Sequence, residues 1–136
     1  MIFNIKYHVF IYLFIFIQDW LEPFRKDPKK LKFFENDLIA AVKSISPIEA
    51  AHKIHLAFQD LSGLLTIADI GEIGADQLTP FFILAIEQTN PVGLYSTSKI
   101  LNDYISPLFG GKSPIDHAVE YSCVQFLSII KSFSEC

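Results

Sequence analysis

The sequence predicts an all-α fold, a layered helical bundle of about five to six helices. Three observations carry that expectation. Apolar residues recur at spacings of three and four along most of the chain, as one face of a helix requires. Helix-start chemistry recurs: Asp27-Pro28, Ser46-Pro47-Ile48-Glu49 and Ser113-Pro114-Ile115-Asp116 each set a capping side chain before a proline. No stretch after residue 20 alternates convincingly as a strand would.

At 136 residues the chain is long enough for one domain with a modest single core. Hydrophobic residues make up 51%, which argues against disorder. The net charge of −4 gives no general attraction to nucleic acid. That charge is uneven. Arg25, Lys26, Lys29, Lys30 and Lys32 stand against Asp27 alone, whereas from residue 33 onward 12 acids face 5 bases. Two cysteines make no disulfide framework; Cys123 reads as a buried thiol and Cys136 as a frayed end, a usage that fits a reducing, cytoplasmic compartment.

In chain order, residues 1–32 read as an atypical hydrophobic N-terminus with a basic linker, and 33–136 as the helical domain. Val9–Ile17 is continuously apolar but too short to span a bilayer as a helix. Three readings stay open for residues 1–18: an element covering the domain, a targeting or membrane segment, or translated AT-rich non-coding sequence. Trp20–Lys32 reads as the linker. Its basic cluster is either a solvated face or a contact for anionic lipid. Asp27-Pro28 then starts a helix with Leu31, Phe34, Leu38, Val42 and Ile45 on one stripe. Ser46-Pro47-Ile48-Glu49 starts the next, with Ile54, Leu56, Ala57, Leu61 and Leu65 apolar. Asp69–Gly74 is an acidic, Gly-bearing loop and no phosphate cradle. Leu94–Ile105 reads as a helix and Pro107–Pro114 as a loop. The last helix carries Val119, Cys123, Phe126, Leu127, Ile129 and Ile130.

The chain is organised around Gly74–Pro91. Phe81–Ile86 is six apolar residues in a row, which cover every side of a helix, so that helix should be buried nearly all round. Pro80 fits in its first turn, where a missing N–H breaks no bond. Asp76 then lies at the mouth of the helix. It reads either as an N-cap or as an acid aimed at something outside the chain. Nothing else suggests chemistry. His52 and His55 could share a metal on one face, but no third ligand stands at a helpful spacing, and no metal or cofactor is expected. Asp116 and His117 are adjacent on a helix and point in different directions, so they form no relay.

From Ser46 onward the order of pieces resembles the Vps-nine domain, the catalytic domain of exchange factors for endosomal Rab GTPases of the Rab-five subfamily. Ser46-Pro47-Ile48-Glu49 is similar to that family's Ser-Pro-x-Asp helix start. Gly74-Ala75-Asp76-Gln77-Leu78-Thr79-Pro80 resembles its Gly-Ala-Asp-Asp/Glu-Leu-x-Pro signature. Thr89-Asn90-Pro91, Leu94-Tyr95-Ser96 and Ile100–Tyr104 are similar to its Ala-Asn-Pro, Leu-x-Ser and Tyr-Ile segment. The final helix with Phe126, Ile129 and Ile130 resembles its closing helix. The resemblance implies an all-α exchange domain whose partner is an endosomal Rab, placed on endosomal membranes. Asp76 maps onto the acidic finger that enters the nucleotide site, and Pro80 onto the proline that shapes the helix start. One departure stands out. The family's last helix opens Gly-Glu-x-x-Tyr, and Ala118 occupies the Tyr position here, with Ser122 near the family's Asn. Tyr121, three residues on and on the same face, is the candidate partner contact in its place. The departure leaves a second reading, a domain that binds a GTPase or another partner without exchange. An unrelated helical interaction module is the third.

Overall fold

The computed structural model describes residues 21–68, 75–89, 91–108 and 117–134. Six α-helices follow one another there: α1 (Glu22–Lys26), α2 (Lys32–Val42), α3 (Pro47–Ile67), α4 (Ala75–Thr89), α5 (Leu94–Leu108) and α6 (His117–Ser134). A 3-10 turn, Pro28–Leu31, joins α1 to α2, and no strand occurs among the described residues. The all-α bundle expected from the apolar spacing is what forms. Residues 1–20, the loop 69–74, Asn90 and the third helix-start motif at 113–116 lie outside the described residues.

The longest helix begins where its capping chemistry says it should. The Ser46 hydroxyl accepts a hydrogen bond from the Glu49 backbone N–H at 3.2 Å, and Pro47 opens the helix. Such a cap stabilises a helix by about 1 kcal/mol. From there α3 packs against α2, α4, α5 and α6. Ala50, Ala51, Ile54, Ala57, Phe58, Leu61 and Leu65 form its buried face. Leu56, expected on that face, is 40% exposed. It sits two residues from both Ile54 and Phe58, on the far side of a 3.6-residue turn.

Helix α2 contributes Phe34 and Leu38, both fully buried. The helix stops at Val42, so Ile45 falls outside it and is 98% exposed rather than continuing the stripe. Residues 21–31, read as a linker, are built into the core: Leu21 and Leu31 are fully buried and Phe24 nearly so. Asp27 does cap, but its carboxylate accepts from Lys29 N–H at 3.3 Å, opening the 3-10 turn rather than α2 itself.

Helix α4 is the core's plug. Phe81, Phe82, Ala85 and Ile86 are fully buried and Leu84 nearly so. Phe82 is the hub of a ring cluster: it stacks on Phe58 of α3 at 4.4 Å between centroids and meets Phe34 of α2 edge-on at 5.1 Å. Phe126 of α6 lies edge-on at 6.2 Å, and the neighbouring Phe81 holds Phe24 at 4.5 Å. Each such pair adds about 0.5–1.5 kcal/mol to the burial of its rings.

The turn into α5 depends on Gly93. Its φ of +97° is unfavourable for any side chain, and a Cβ there would lie 2.8 Å from Val42 Cγ1. Helix α5 runs on through Pro107 and Leu108, which were expected in the loop. Its buried Thr97 and Ser98 hydroxyls are satisfied within the helix, on the carbonyls of Gly93 and Tyr95. Ile100, apolar though it is, is 54% exposed.

Candidate functional site

Helix α4 begins at Ala75, earlier than the position of Pro80 suggested. Asp76 is therefore the second helical residue rather than a residue ahead of the helix, and Pro80 is the sixth rather than in the first turn. Pro80 has no N–H to give the carbonyl four residues back, which is that of Asp76. The helix accepts this loss at its mouth because the next two residues are fully buried phenylalanines, each contributing about 1.5–3 kcal/mol by leaving water. Pro80 itself is buried. The peptide units of the first turn carry partial positive charge, which favours a carboxylate at Asp76. The backbone of Asp76 is thus carried on a helix clamped by rings from α2, α3 and α6.

Helix α6 treats its candidate residues differently. Val119, Cys123, Phe126, Ile129 and Ile130 face the core, as their spacing predicts. Ser122 faces inward with them, 5% exposed, and its Oγ lies 2.8 Å from His55 Nδ1 on α3. Tyr121, one residue earlier, points outward and is 60% exposed; Ala118 is exposed as well. The α4 and α6 helices that carry the motif residues are neighbours in the core, joined through Phe82 and Phe126. Of the four candidate residues, Pro80 and Ser122 are interior and Tyr121 is on the surface.

The bond between His55 and Ser122 spans 67 residues of sequence and was missed by reading either helix alone. So was a pair of carboxyl groups between α2 and α3. Burial, a side-chain hydrogen bond with Asp37 and the Asp37 charge raise the Asp60 carboxyl to about 7. Its Oδ2 is buried with no hydrogen-bond partner. Cys123 is a free, buried thiol, as expected, with its Sγ 3.7 Å from the Ala51 carbonyl oxygen. Burial pushes it up to about 12, which leaves no thiolate for chemistry near neutral pH. An open groove of about 760 Å³ runs between α5 and α6, walled by Tyr95, Lys99, Asn102 and Lys131 over Leu127 and Ile130. Among the described residues, no three His, Cys, Asp or Glu side chains come close enough to hold a metal ion, and no helix is long and apolar enough to cross a membrane.

Among the described residues, no activated nucleophile stands beside a base that a third group orients. No protein-family model, curated protein or solved structure matches the chain.

Proposed function

We propose that the chain is a Vps-nine-like guanine-nucleotide exchange domain that promotes GDP release from an endosomal Rab GTPase, with Asp76 as its acidic finger. The observation that carries the reading is the sequence Gly74–Pro80, whose residues from Ala75 on form the opening turns of α4 just ahead of fully buried phenylalanines. A finger must hold its place while it competes with phosphate, and α4 is the helix most enclosed by aromatic packing. In the proposed mechanism the Asp76 carboxylate pairs with the P-loop lysine of the GTPase. It replaces a charge-assisted bond to phosphate and disfavours the Mg²⁺ and phosphate that hold GDP. GDP leaves, and GTP enters the emptied site. Pro80 shapes the helix start, and Tyr121 offers the exposed aromatic contact on α6.

A second reading is a module that binds a GTPase without releasing nucleotide. Ala118 at the expected Tyr position favours it, as does Ser122, which spends its hydroxyl on His55. Capture of Rab GTPases in nucleotide-free and GDP-loaded forms separates the two. An exchange domain retains the nucleotide-free form preferentially, because its finger and the phosphate compete for one lysine. Equal retention of both forms supports the binding-only reading, and retention of neither contradicts both.

A further inference from the structure

The edge formed by α1, the 3-10 turn and the start of α2 carries a second, separate feature. Lys29 and Lys30 are exposed, and the side chains of Lys26 and Lys32 are 76% and 68% exposed. Beside them Phe33 stands 77% exposed, while its neighbour Phe34 is fully buried. Adjacent helical residues point about 100° apart, and on α2 Phe34 fills the core while Phe33 is left in water. The 3-10 turn runs straight into α2, which places Phe33 one turn after Lys29 and Lys30 on the same side.

Three acids temper this charge: exposed Asp27 stands among the lysines with its carboxylate on the Lys29 backbone N–H, and two more pair with lysine side chains. Glu22 lies 4.0 Å from Lys26 and Glu35 lies 3.4 Å from Lys32. Both are exposed one-turn pairs, weak and screened by salt, so the edge keeps its positive sign. The platform is rigid, because Leu21, Phe24 and Leu31 anchor it in the core and the Lys30 ammonium sits 5.9 Å from the Phe24 ring centroid. The rest of the chain is acidic from residue 33 onward. A negatively charged surface therefore attracts this edge and repels the remainder, which fixes an orientation.

We infer that this edge docks the domain on the anionic leaflet of a phospholipid bilayer, its lysines on the headgroups and the Phe33 ring inserted at the boundary with the acyl chains. Clustered lysines beside a membrane gain attraction that falls away within a Debye length, about 8 Å at physiological salt. An aromatic ring at the headgroup level adds an apolar contribution that salt does not screen. A nucleic acid could also meet lysines and a ring, but the acidic remainder of the chain opposes a long polyanion wrapping it. This docking is independent of the proposed exchange activity.

Flotation of the full chain with vesicles tests it. Vesicles of phosphatidylcholine with phosphatidylserine are compared with phosphatidylcholine alone, and both with a single-stranded oligonucleotide. The expected result is binding to the phosphatidylserine vesicles only, reduced about tenfold by high salt. Lys29→Glu with Lys30→Glu should reduce it about tenfold or more, and Phe33→Ala about threefold or more. All three positions are exposed, and acids before α2 suit its dipole, so the melting of each variant is measured beside the parent, with Lys30→Glu expected to lose only its exposed contact with the Phe24 ring. Equal binding to both vesicles, no binding to either, tighter binding to the oligonucleotide, or full binding by the charge-reversed chain would each overturn the proposal.

Discussion

Helices α4 and α6 both carry candidate site residues, yet they hold them in opposite ways. In α4 the motif leads into the most enclosed part of the molecule: Pro80 is buried and Phe82 touches rings from three other helices. In α6 the ring of Tyr121 is exposed, and the residue after it turns inward to His55. The contrast teaches that a helix can preserve position or surface. Here α4 supplies a fixed mount and α6 supplies an outer face that carries Tyr121.

The largest test of that contrast is in the core. Phe82→Ala should cost about 3–5 kcal/mol in denaturant unfolding, and Phe126→Ala less, because Phe126 meets the hub at only one longer ring contact. Equal costs would mean that α4 is not the central mount. Gly93→Ala should cost about 1–3 kcal/mol, since alanine must take a positive φ and push on Val42. On α6, Ser122→Ala should cost about 1–2 kcal/mol by leaving His55 without its partner. Tyr121→Ala should stay within about 0.5 kcal/mol of the parent and weaken partner binding instead. If Tyr121→Ala melts the fold and Ser122→Ala does not, the inner and outer faces of α6 are assigned the wrong way round.

The Asp37–Asp60 pair sharpens the picture through pH. Folded Asp60 holds its proton to about 7, whereas the unfolded group releases it near 3.8. The folded state therefore binds more protons in that window, and stability falls as pH rises from about 4 to about 7. Asp60→Asn removes the dependence. It should match the parent below pH 4 and exceed it above pH 7 by on the order of 1 kcal/mol, the full shift being discounted for water screening of a partly exposed group. A parent whose stability rises over that window would contradict the pairing.

Much of this fold is readable from local pattern. The caps at Asp27 and Ser46, the apolar run at Phe81–Ile86 and the core stripe of α6 depend on neighbours within a turn or two. What could not be read depends on partners far away in sequence. Residues 21–31 look like a basic linker until Phe24 finds Phe81. Pro80 looks like part of a helix's first turn, yet α4 begins at Ala75 and holds Pro80 inside it. Leu56 and Ile45 look like core until the true helix ends and faces are fixed. The His55–Ser122 bond and the coupling of Asp60 to Asp37 arise only once two helices meet. The acidic residue at the centre of the functional reading was visible from its motif alone, through resemblance rather than physics.

The most direct measurement is the release rate of a fluorescent GDP analogue from a panel of endosomal Rab GTPases, with the full chain and its Asp76→Ala variant. The account predicts faster release from one Rab with the parent. The variant should keep its melting temperature to within the effect of about 1 kcal/mol that a first-turn acid contributes. Its acceleration should fall by on the order of 30-fold or more, the loss expected when one partner of a close charge pair is removed. Undiminished release by a folded Asp76→Ala variant, or no release by the folded parent, would contradict it.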